Sequence, residues 1–332
     1  MKIAVLGGGS IGLRHAQNAA AMNCAVTVYD PDSASLARAK ALGLEAQPCR
    51  SAALAAADAA IVASPSRFHM VDAIDSVEHG CHVLIEKPMA TSTSGMDTLL
   101  KTSDARGVRV FVAQNLRVHP AVKRAVEFIQ QSRLGTLLWS RLIASSYLPS
   151  WRPGSDHRAN YTSNPRTGGA IFDYVHELDL AWHLLGRYEV QACIARSTGT
   201  LGISAEDTAD IVVRHDSGLI SNIHVDYVSP IPERITSIAG TDGRIDIDIP
   251  GRRLRLLDNR GATVAYHGFG GEHADDYRTE LVEFFAGING TRASLLSDGT
   301  ESNAILKQVL EARSLAKLPA DDGRLSSPAT EA

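Results

Sequence analysis

Cysteine is scarce in this chain of 332 residues: four copies, at Cys24, Cys49, Cys81 and Cys193, with no C-x-x-C pair among them. That spacing reads neither as a disulfide framework nor as a thiolate zinc site, and it fits a reducing compartment. Charge of one sign is missing too, since 33 Lys and Arg stand against 37 Asp and Glu, a net charge of -4. Without a global basic field, nucleic acid and anionic membrane are poor candidates for partners. No run approaches the roughly 18 apolar residues of a membrane span. The N-terminal IAVL is short for a signal-peptide core and leads straight into glycines. The chain is therefore expected to be soluble, unprocessed and cytoplasmic, and at 44% hydrophobic it can bury a sizeable core.

What the sequence does have is rhythm. Up to about residue 118, short apolar runs (IAVLG, AVTVYD, AAIVAS, HVLIEK, RVFVAQ) alternate with helix-like segments, among them 67–79 and 93–106. Uninterrupted apolar runs separated by amphipathic helices indicate parallel strands covered on both faces. After a helix at 121–131 the pattern changes to longer alternating runs joined by short turns such as HDSG and GTDG, which read as a mostly antiparallel sheet. The expected fold is α/β: a doubly wound Rossmann domain over 1–118, then an α/β domain with a large open, mostly antiparallel sheet over 119–318. Helices are expected at 275–289 and 300–315, the last able to pack back on the first domain, with a polar tail over 319–332.

The glycine turn GGGSIG follows the first strand and opens a helix. Gly7 permits the tight turn, Gly9 lets backbone approach a pyrophosphate, and Gly12 lets helix and strand pack closely. Ser10 and Ile11 belong to the same cofactor-binding turn. The second strand ends in Asp30, where a carboxylate can accept hydrogen bonds from both ribose hydroxyls, favouring NAD over NADP; the alternative is that Asp30 caps the next helix. At the end of the HVLI strand, Glu86, Lys87 and Pro88 stand on the edge where such sheets bind ligands. A lysine held there can orient a substrate hydroxyl or stabilise an alkoxide, and Pro88 restricts its backbone.

GGGSIG, SPSRFH and EKP together resemble the glucose-fructose oxidoreductase, inositol dehydrogenase and MocA-like family. The resemblance implies a Rossmann domain that binds NAD(P), a catalytic Lys87, a cofactor cleft lined by Ser64, Pro65 and His69, and Glu86 near the nicotinamide. It also implies a second domain whose sheet binds substrate and contacts another subunit, in a homodimer or homotetramer. QNLRVHP is similar to the family's crossing segment, which implies Asn115, Arg117 and His119 as substrate-binding residues near the domain junction.

GGAIFDYVHELDLAWHLLG reads as a helix over 174–185, with Asp173 as N-cap, Gly186 as stop, and Val175, Leu178, Trp182 and Leu185 as its buried stripe. The spacing sets Asp179 beside His176 and His183, so that a carboxylate can orient an imidazole acting as general base. The segment resembles the family's second active-site motif in the form D-x-x-H-E-x-D. His176 is the catalytic histidine on that reading, and Asp173 and Asp179 are its companions, Asp173 being either catalytic or only a cap. A rival reading takes His176, Asp179 and His183 as metal ligands; with no further ligand in view, no metal is expected.

Between these motifs lies the long loop LPSWRPGSDHRANYTSNPRT. Trp151, Arg152, His157, Arg158, Tyr161 and Arg166 supply flat apolar faces and cationic forks. Those suit a sugar or polyol with an anionic handle, with Trp151, Arg152, Arg158 and Tyr161 as substrate contacts. The chain has no Y-x-x-x-K pair, which argues against a short-chain dehydrogenase, and no zinc set of the medium-chain type. The expected activity is NAD-dependent hydride transfer at a secondary alcohol of a sugar, cyclitol or nucleotide sugar, with Lys87 and His176 handling the proton. The alternatives are glycoside cleavage through transient oxidation with NAD retained, and a non-catalytic dinucleotide sensor.

Overall fold

The apolar runs of the N-terminal third become β1 (Lys2–Leu6), β2 (Ala25–Tyr29), β3 (Glu45–Gln47), β4 (Ala59–Val62), β5 (His82–Ile85) and β6 (Val110–Val112). They pair in parallel in the order β3-β2-β1-β4-β5-β6, and the two-residue strand Ser297–Asp298 (β15) adds antiparallel to β6. The sequence order reverses between β1 and β4, so the crevice outside their carboxyl ends is the ligand-binding position of a doubly wound sheet. The central strands are buried on both faces, Ile3–Leu6 and Ala59–Val62 at no more than 1% exposure, as an uninterrupted apolar run requires.

The computed structural model describes residues 1–291 and 294–325. Its chain divides into two units: Met1–Asn115 with Ala274–Leu306 and the segment from Asp322, and Leu116–His273 with Lys307–Asp321. Of the polar tail expected over 319–332, residues 326–332 lie outside the described residues.

In the first unit the strands are joined by α1 (Ser10–Ala21), α2 (Ser33–Ala41), α3 (Arg50–Leu54), α4 (His69–Glu78) and α5 (Met96–Arg106). The helix expected over 67–79 is split, because Ser66–Phe68 form a 3-10 turn before α4. The helix expected from 93 starts only at Met96, after Gly95 turns the chain at φ 79°. Helix α9 (His273–Ile288) also packs in this unit: Phe284 meets Phe111 edge-on with centroids 6.1 Å apart, and Arg109 donates to the Gly287 carbonyl at 2.8 Å.

The second unit contains α6 (Pro120–Gln130), β7 (Leu137–Tyr147), α7 (Ala170–Asp173), α8 (Val175–Leu185), β8 (Tyr188–Arg196), β9 (Thr208–His215), β10 (Ile220–Asp226), β11 (Val228–Gly240), β12 (Gly243–Asp248), β13 (Arg253–Asp258) and β14 (Thr263–Gly268), closing with α10 (Gly299–Leu315), which begins in the first unit's segment. Its sheet runs β14-β13-β12-β11-β7-β10-β9-β8, antiparallel except for the β7/β10 pair. Helix α8 packs on β7 and β10, and α6 on β12 and β13. The strands accordingly alternate, with Ala209, Ile211, Val213 and His215 of β9 turned inward. On the sheet an open concavity of about 450 Å³ is lined by Trp139, Arg141, Ile235, Arg244, Asp246 and Tyr266.

The helix expected over 174–185 is broken at its start. Tyr174, at φ -97° and ψ 29°, separates the single turn α7 from α8. Asp173 is therefore the last residue of α7 and not the N-cap of α8. Gly186 does stop the helix, at φ 84°, donating to the Trp182 carbonyl. The expected stripe holds for Val175, Leu178 and Trp182, while Leu185 is half-buried; His176, Glu177 and Asp179 are buried as well, so α8 has no solvated face along that stretch.

Candidate active site

Parallel strands end on one edge of their sheet, so the turn after β1, Asp30 after β2, Ser64 after β4 and Glu86-Lys87-Pro88 after β5 share that edge in the first unit. The glycine turn passes a fit test for a dinucleotide. A Cβ on Gly7, at φ 111°, would lie 2.5 Å from the Ala63 carbonyl oxygen, and one on Gly12 would lie 1.9 Å from that of Gly7. A Cβ on Gly9 would meet nothing within 4 Å. The turn is thus closed toward the protein and open at Gly9, where backbone can approach phosphate. Gly9 is also the N-cap of α1 and provides no side-chain cap, which leaves the first-turn N–H groups around Ser10 and Ile11 facing outward.

Asp30 has a second task that sequence reading missed. Its Oδ2 accepts from the Gly8 N–H at 2.6 Å and its Oδ1 from the Asp32 N–H at 2.8 Å, so the carboxylate braces the glycine turn. The capping role left open for Asp30 belongs to Asp32, which accepts from the N–H groups of Ala34 and Ser35. Ser64 is fixed through its hydroxyl, which donates to Asp72 at 2.7 Å; Asp72 in turn takes Arg50 at 2.6 Å. His69 is 2% exposed, with one ring nitrogen 2.8 Å from the Ser64 carbonyl and the other 2.8 Å from that of Pro88.

Beside Lys87, the Glu86 carboxylate accepts from the Lys87 N–H at 3.0 Å and lies 2.7 Å from His15 Nε2; the Lys87–Pro88 peptide is cis. Burial works against the Glu86 charge, but the His15 hydrogen bond and the charges of His15 and Lys87 hold it below the usual carboxylate range. Glu280 of α9 completes a buried group that no motif announced. It is fully buried, neither of its oxygens has a hydrogen-bond partner among the described residues, and its ligand atom lies within 4.8 Å of those of His15 and Glu86. His15 Nε2 and Glu86 Oε1 are closer than the about 3.3 Å that separates two ligands of one tetrahedral ion bonded at about 2.0 Å. The His15–Glu86 contact is a hydrogen bond between imidazole and carboxylate.

Burial, then the Glu86 and Asp276 carboxylates, push Glu280 well above the usual carboxylate range, so it stays protonated when folded. An acid with a raised folded-state pKa loses stability as pH climbs from the unfolded value toward the folded one. Glu280→Gln is therefore expected to raise the melting temperature at pH 8, where the parent must hold a proton on the folded carboxyl that the unfolded chain releases. The gain should shrink toward zero near pH 4.5. Scanning calorimetry across that range checks it; a gain independent of pH would remove the buried acid as its cause.

In the second unit the three carboxylates of α7 and α8 each meet a partner from another element. Asp173 accepts from the hydroxyls of Tyr161 at 3.1 Å and Tyr227 at 2.5 Å. Glu177 takes a two-point fork from Arg234, at 2.6 and 3.0 Å. Asp179, which the helical spacing paired with His176 and His183, receives Arg117 Nε at 2.8 Å and its terminal nitrogen at 2.7 Å, both side chains being nearly inaccessible. That fork occupies the carboxylate which a His176, Asp179, His183 metal set would need. Burial, and then the Arg117 charge, lower His183 to about 4. His176 is buried at 8% exposure. His119 caps α6, its Nδ1 accepting from the Ala121 N–H. Asn115 belongs to the first unit and is 4% exposed.

The long loop is ordered as three short turns, Leu148–Ser150, His157–Ala159 and Tyr161–Ser163. Trp151 donates through Nε1 to Ser146 Oγ, which also bonds the Tyr174 hydroxyl, and its ring stands edge-on to Tyr174 and Tyr227. Arg158 closes on Asp156 and Arg166 donates to the Ala320 carbonyl, so neither presents an open fork. Arg152 is exposed, and while its carbonyl accepts from Ser155, its guanidinium makes no hydrogen bond or ion pair among the described residues. A notch of about 20 Å³ lined by Trp151, Arg152, His157 and Tyr161 holds little more than one water.

Comparison with known proteins places this geometry. Residues 1–114 match the GFO_IDH_MocA family, described as an oxidoreductase family with an NAD-binding Rossmann fold, and residues 122–246 match the GFO/IDH/MocA C-terminal domain. The UDP-N-acetylglucosamine 3-dehydrogenase of Acidithiobacillus ferrooxidans is 26% identical over 321 residues, 94% of this chain and 96% of that protein. A crystal structure of that dehydrogenase shares the fold with a TM-score of 0.81 at 23% identity, covering 96% and 98% of the two chains. Levoglucosan dehydrogenase in complex with NADH and levoglucosan shares it with a TM-score of 0.83 at 18% identity, covering 97% and 100%. No helix of the described residues is long and apolar enough to cross a membrane. With the glycine turn, Asp30 and the E-K-P strand end in register and both domain families matched, the chain belongs to the GFO/IDH/MocA family of oxidoreductases and carries its NAD-binding Rossmann domain.

Proposed function

We propose that the chain is an NAD-dependent dehydrogenase for a secondary alcohol of a nucleotide sugar, with Lys87 of the first unit and His176 of the second managing the hydroxyl proton. The observation that carries this is full-length similarity to a UDP-N-acetylglucosamine 3-dehydrogenase, in a chain whose Lys87 follows β5 on the edge that bears the glycine turn. The turn from Gly7 to Gly12 would hold the pyrophosphate and Asp30 the adenosine ribose. NAD, when bound, accepts or supplies the hydride. Lys87 orients the hydroxyl and stabilises its oxygen as charge develops, and the His176 imidazole receives the proton. Arg152 offers its open fork to the phosphates, and Trp151 offers a flat face to the sugar. The open face of the eight-stranded sheet, where apolar Trp139 and Ile235 sit among charges, is assigned to a second copy of the chain.

The test is NADH formation with UDP-N-acetylglucosamine set against neutral sugars, cyclitols and sugar acids. UDP-N-acetylglucosamine should give the highest kcat/KM. Faster turnover of a free neutral sugar would overturn the nucleotide-sugar assignment. Sugar cleavage without net NADH would replace the dehydrogenase by the retained-cofactor reaction.

A further inference from the structure

His69 opens α4 and sits between two loops on the ligand-binding edge. One ring nitrogen is 2.8 Å from the carbonyl oxygen of Ser64, just after β4, and the other 2.8 Å from that of Pro88, just after β5. With 2% of its surface exposed, the ring is committed to these contacts and is not presented to a ligand. Ser64 is held at its second oxygen as well, through the hydroxyl bond to Asp72.

We propose that His69 is a positioning residue, an internal strut that fixes the Glu86-Lys87-Pro88 segment against the Ser64 turn, and that it does so with a proton on each ring nitrogen. Both partners are carbonyls, which only accept. A neutral imidazole has one N–H and turns a lone pair toward the other oxygen; only the imidazolium donates to both. The charged groups facing the ring are Asp72 on its own helix, itself bonded by Arg50 of α3, and Glu86 at the end of β5, itself bonded by His15 of α1. Burial is the largest influence and holds the ring below the ordinary histidine range, although the two carbonyls, Glu86 and Asp72 pull the other way, so the charged ring is inferred from the geometry of its two acceptors. In the proposed strut each 2.8 Å contact is an N–H donation from one ring nitrogen. Loss of one proton would release one tie and let the peptide that carries Lys87 shift relative to the Ser64 turn.

The bearing on Lys87 rests on the hydride-transfer reading, whereas the strut is tested without any sugar. In the full-length chain, His69→Phe keeps a flat ring but removes both donors, and His69→Gln keeps an amide with two N–H donors. Hydrogen exchange of the amides at 63–66 and 86–91 should accelerate at least about tenfold in His69→Phe, and NAD affinity measured by calorimetry should fall by a similar factor. His69→Gln should restore most of both. Unchanged exchange in His69→Phe, or a glutamine variant as impaired as the phenylalanine one, would overturn the strut. If the phenylalanine variant does not fold, the unsubstituted chain labelled with nitrogen-15 histidine decides. About one pH unit below the ordinary histidine pKa of about 6.5, the ring assigned to His69 should show two protonated nitrogens, and a bare nitrogen there refutes the proposal.

Discussion

Lys87→Met is expected to lower the rate of sugar oxidation by about 10²- to 10⁴-fold, the range for loss of a positioned proton-handling group, while NAD affinity stays within about threefold. The separation follows from where the contacts lie. The pyrophosphate and ribose are assigned to backbone N–H groups of the Gly7–Gly12 turn and to Asp30, and none of these uses the Lys87 ammonium. The Glu86 carboxylate that takes the Lys87 N–H is kept in place by His15, so the backbone at this position does not depend on the lysine side chain. Combined with His176→Ala, the double variant should be much less impaired than the product of the two single losses if, as proposed, both groups serve one proton. Stopped-flow NADH formation and calorimetric NAD titration separate the two quantities. A Lys87→Met enzyme within tenfold of the parent rate would take the lysine out of the reaction.

The second large effect is on stability. Arg117→Met leaves the Asp179 carboxylate buried without its two-point partner, and breaking such a pair costs about 3–5 kcal/mol, or about 10 °C in melting temperature. The Arg158–Asp156 pair shows the same charge-to-charge fork at the surface, its side chains 63% and 49% exposed, and Arg158→Met should produce no measurable change. Solvent access decides between the two, since distance hardly differs. Arg117→Met with Asp179→Leu should regain at least half of the loss, because the uncompensated charge leaves with the aspartate. Denaturant unfolding of the four chains measures the coupling. A single Arg117→Met variant within about 0.5 kcal/mol of the parent would show that Asp179 finds another partner at no cost.

That pair also marks where sequence reading stops. Local patterns were legible: the strand, glycine turn and helix at 2–21, the E-K-P strand end, and the burial of Val175, Leu178 and Trp182, each encoded within a few residues of itself. Helical spacing tells which side chains share a face, and it set Asp179 near His176 correctly as a neighbour along the helix. It cannot tell that Arg117, 62 positions earlier, arrives on that face. Asp173 was misread for a related reason. Aspartate before an apolar helix looks like a cap, and nothing local announces that Tyr161 and Tyr227 both donate to it. Short elements escaped too, since the three residues of β3 and the five of α3 span fewer than two periods of the strand or helix pattern, too few to show a repeat. Glu280 gave no signal because a buried neutral acid is written with the same letter as a solvated one.

The nucleotide-binding sheet is assembled from distant parts of the chain, with α9 and β15 drawn from Ala274–Leu306. During synthesis, a ribosome that has finished β6 must still translate Leu116–His273 of the second unit before Phe284, Glu280 and the β15 edge emerge, a delay on the order of tens of seconds. Through that interval β6 is an open edge and Phe111 lacks its ring partner. The nascent N-terminal third therefore waits with one sheet edge uncovered, and a gene cut after the last parallel strand would encode a sheet that never receives its final strand.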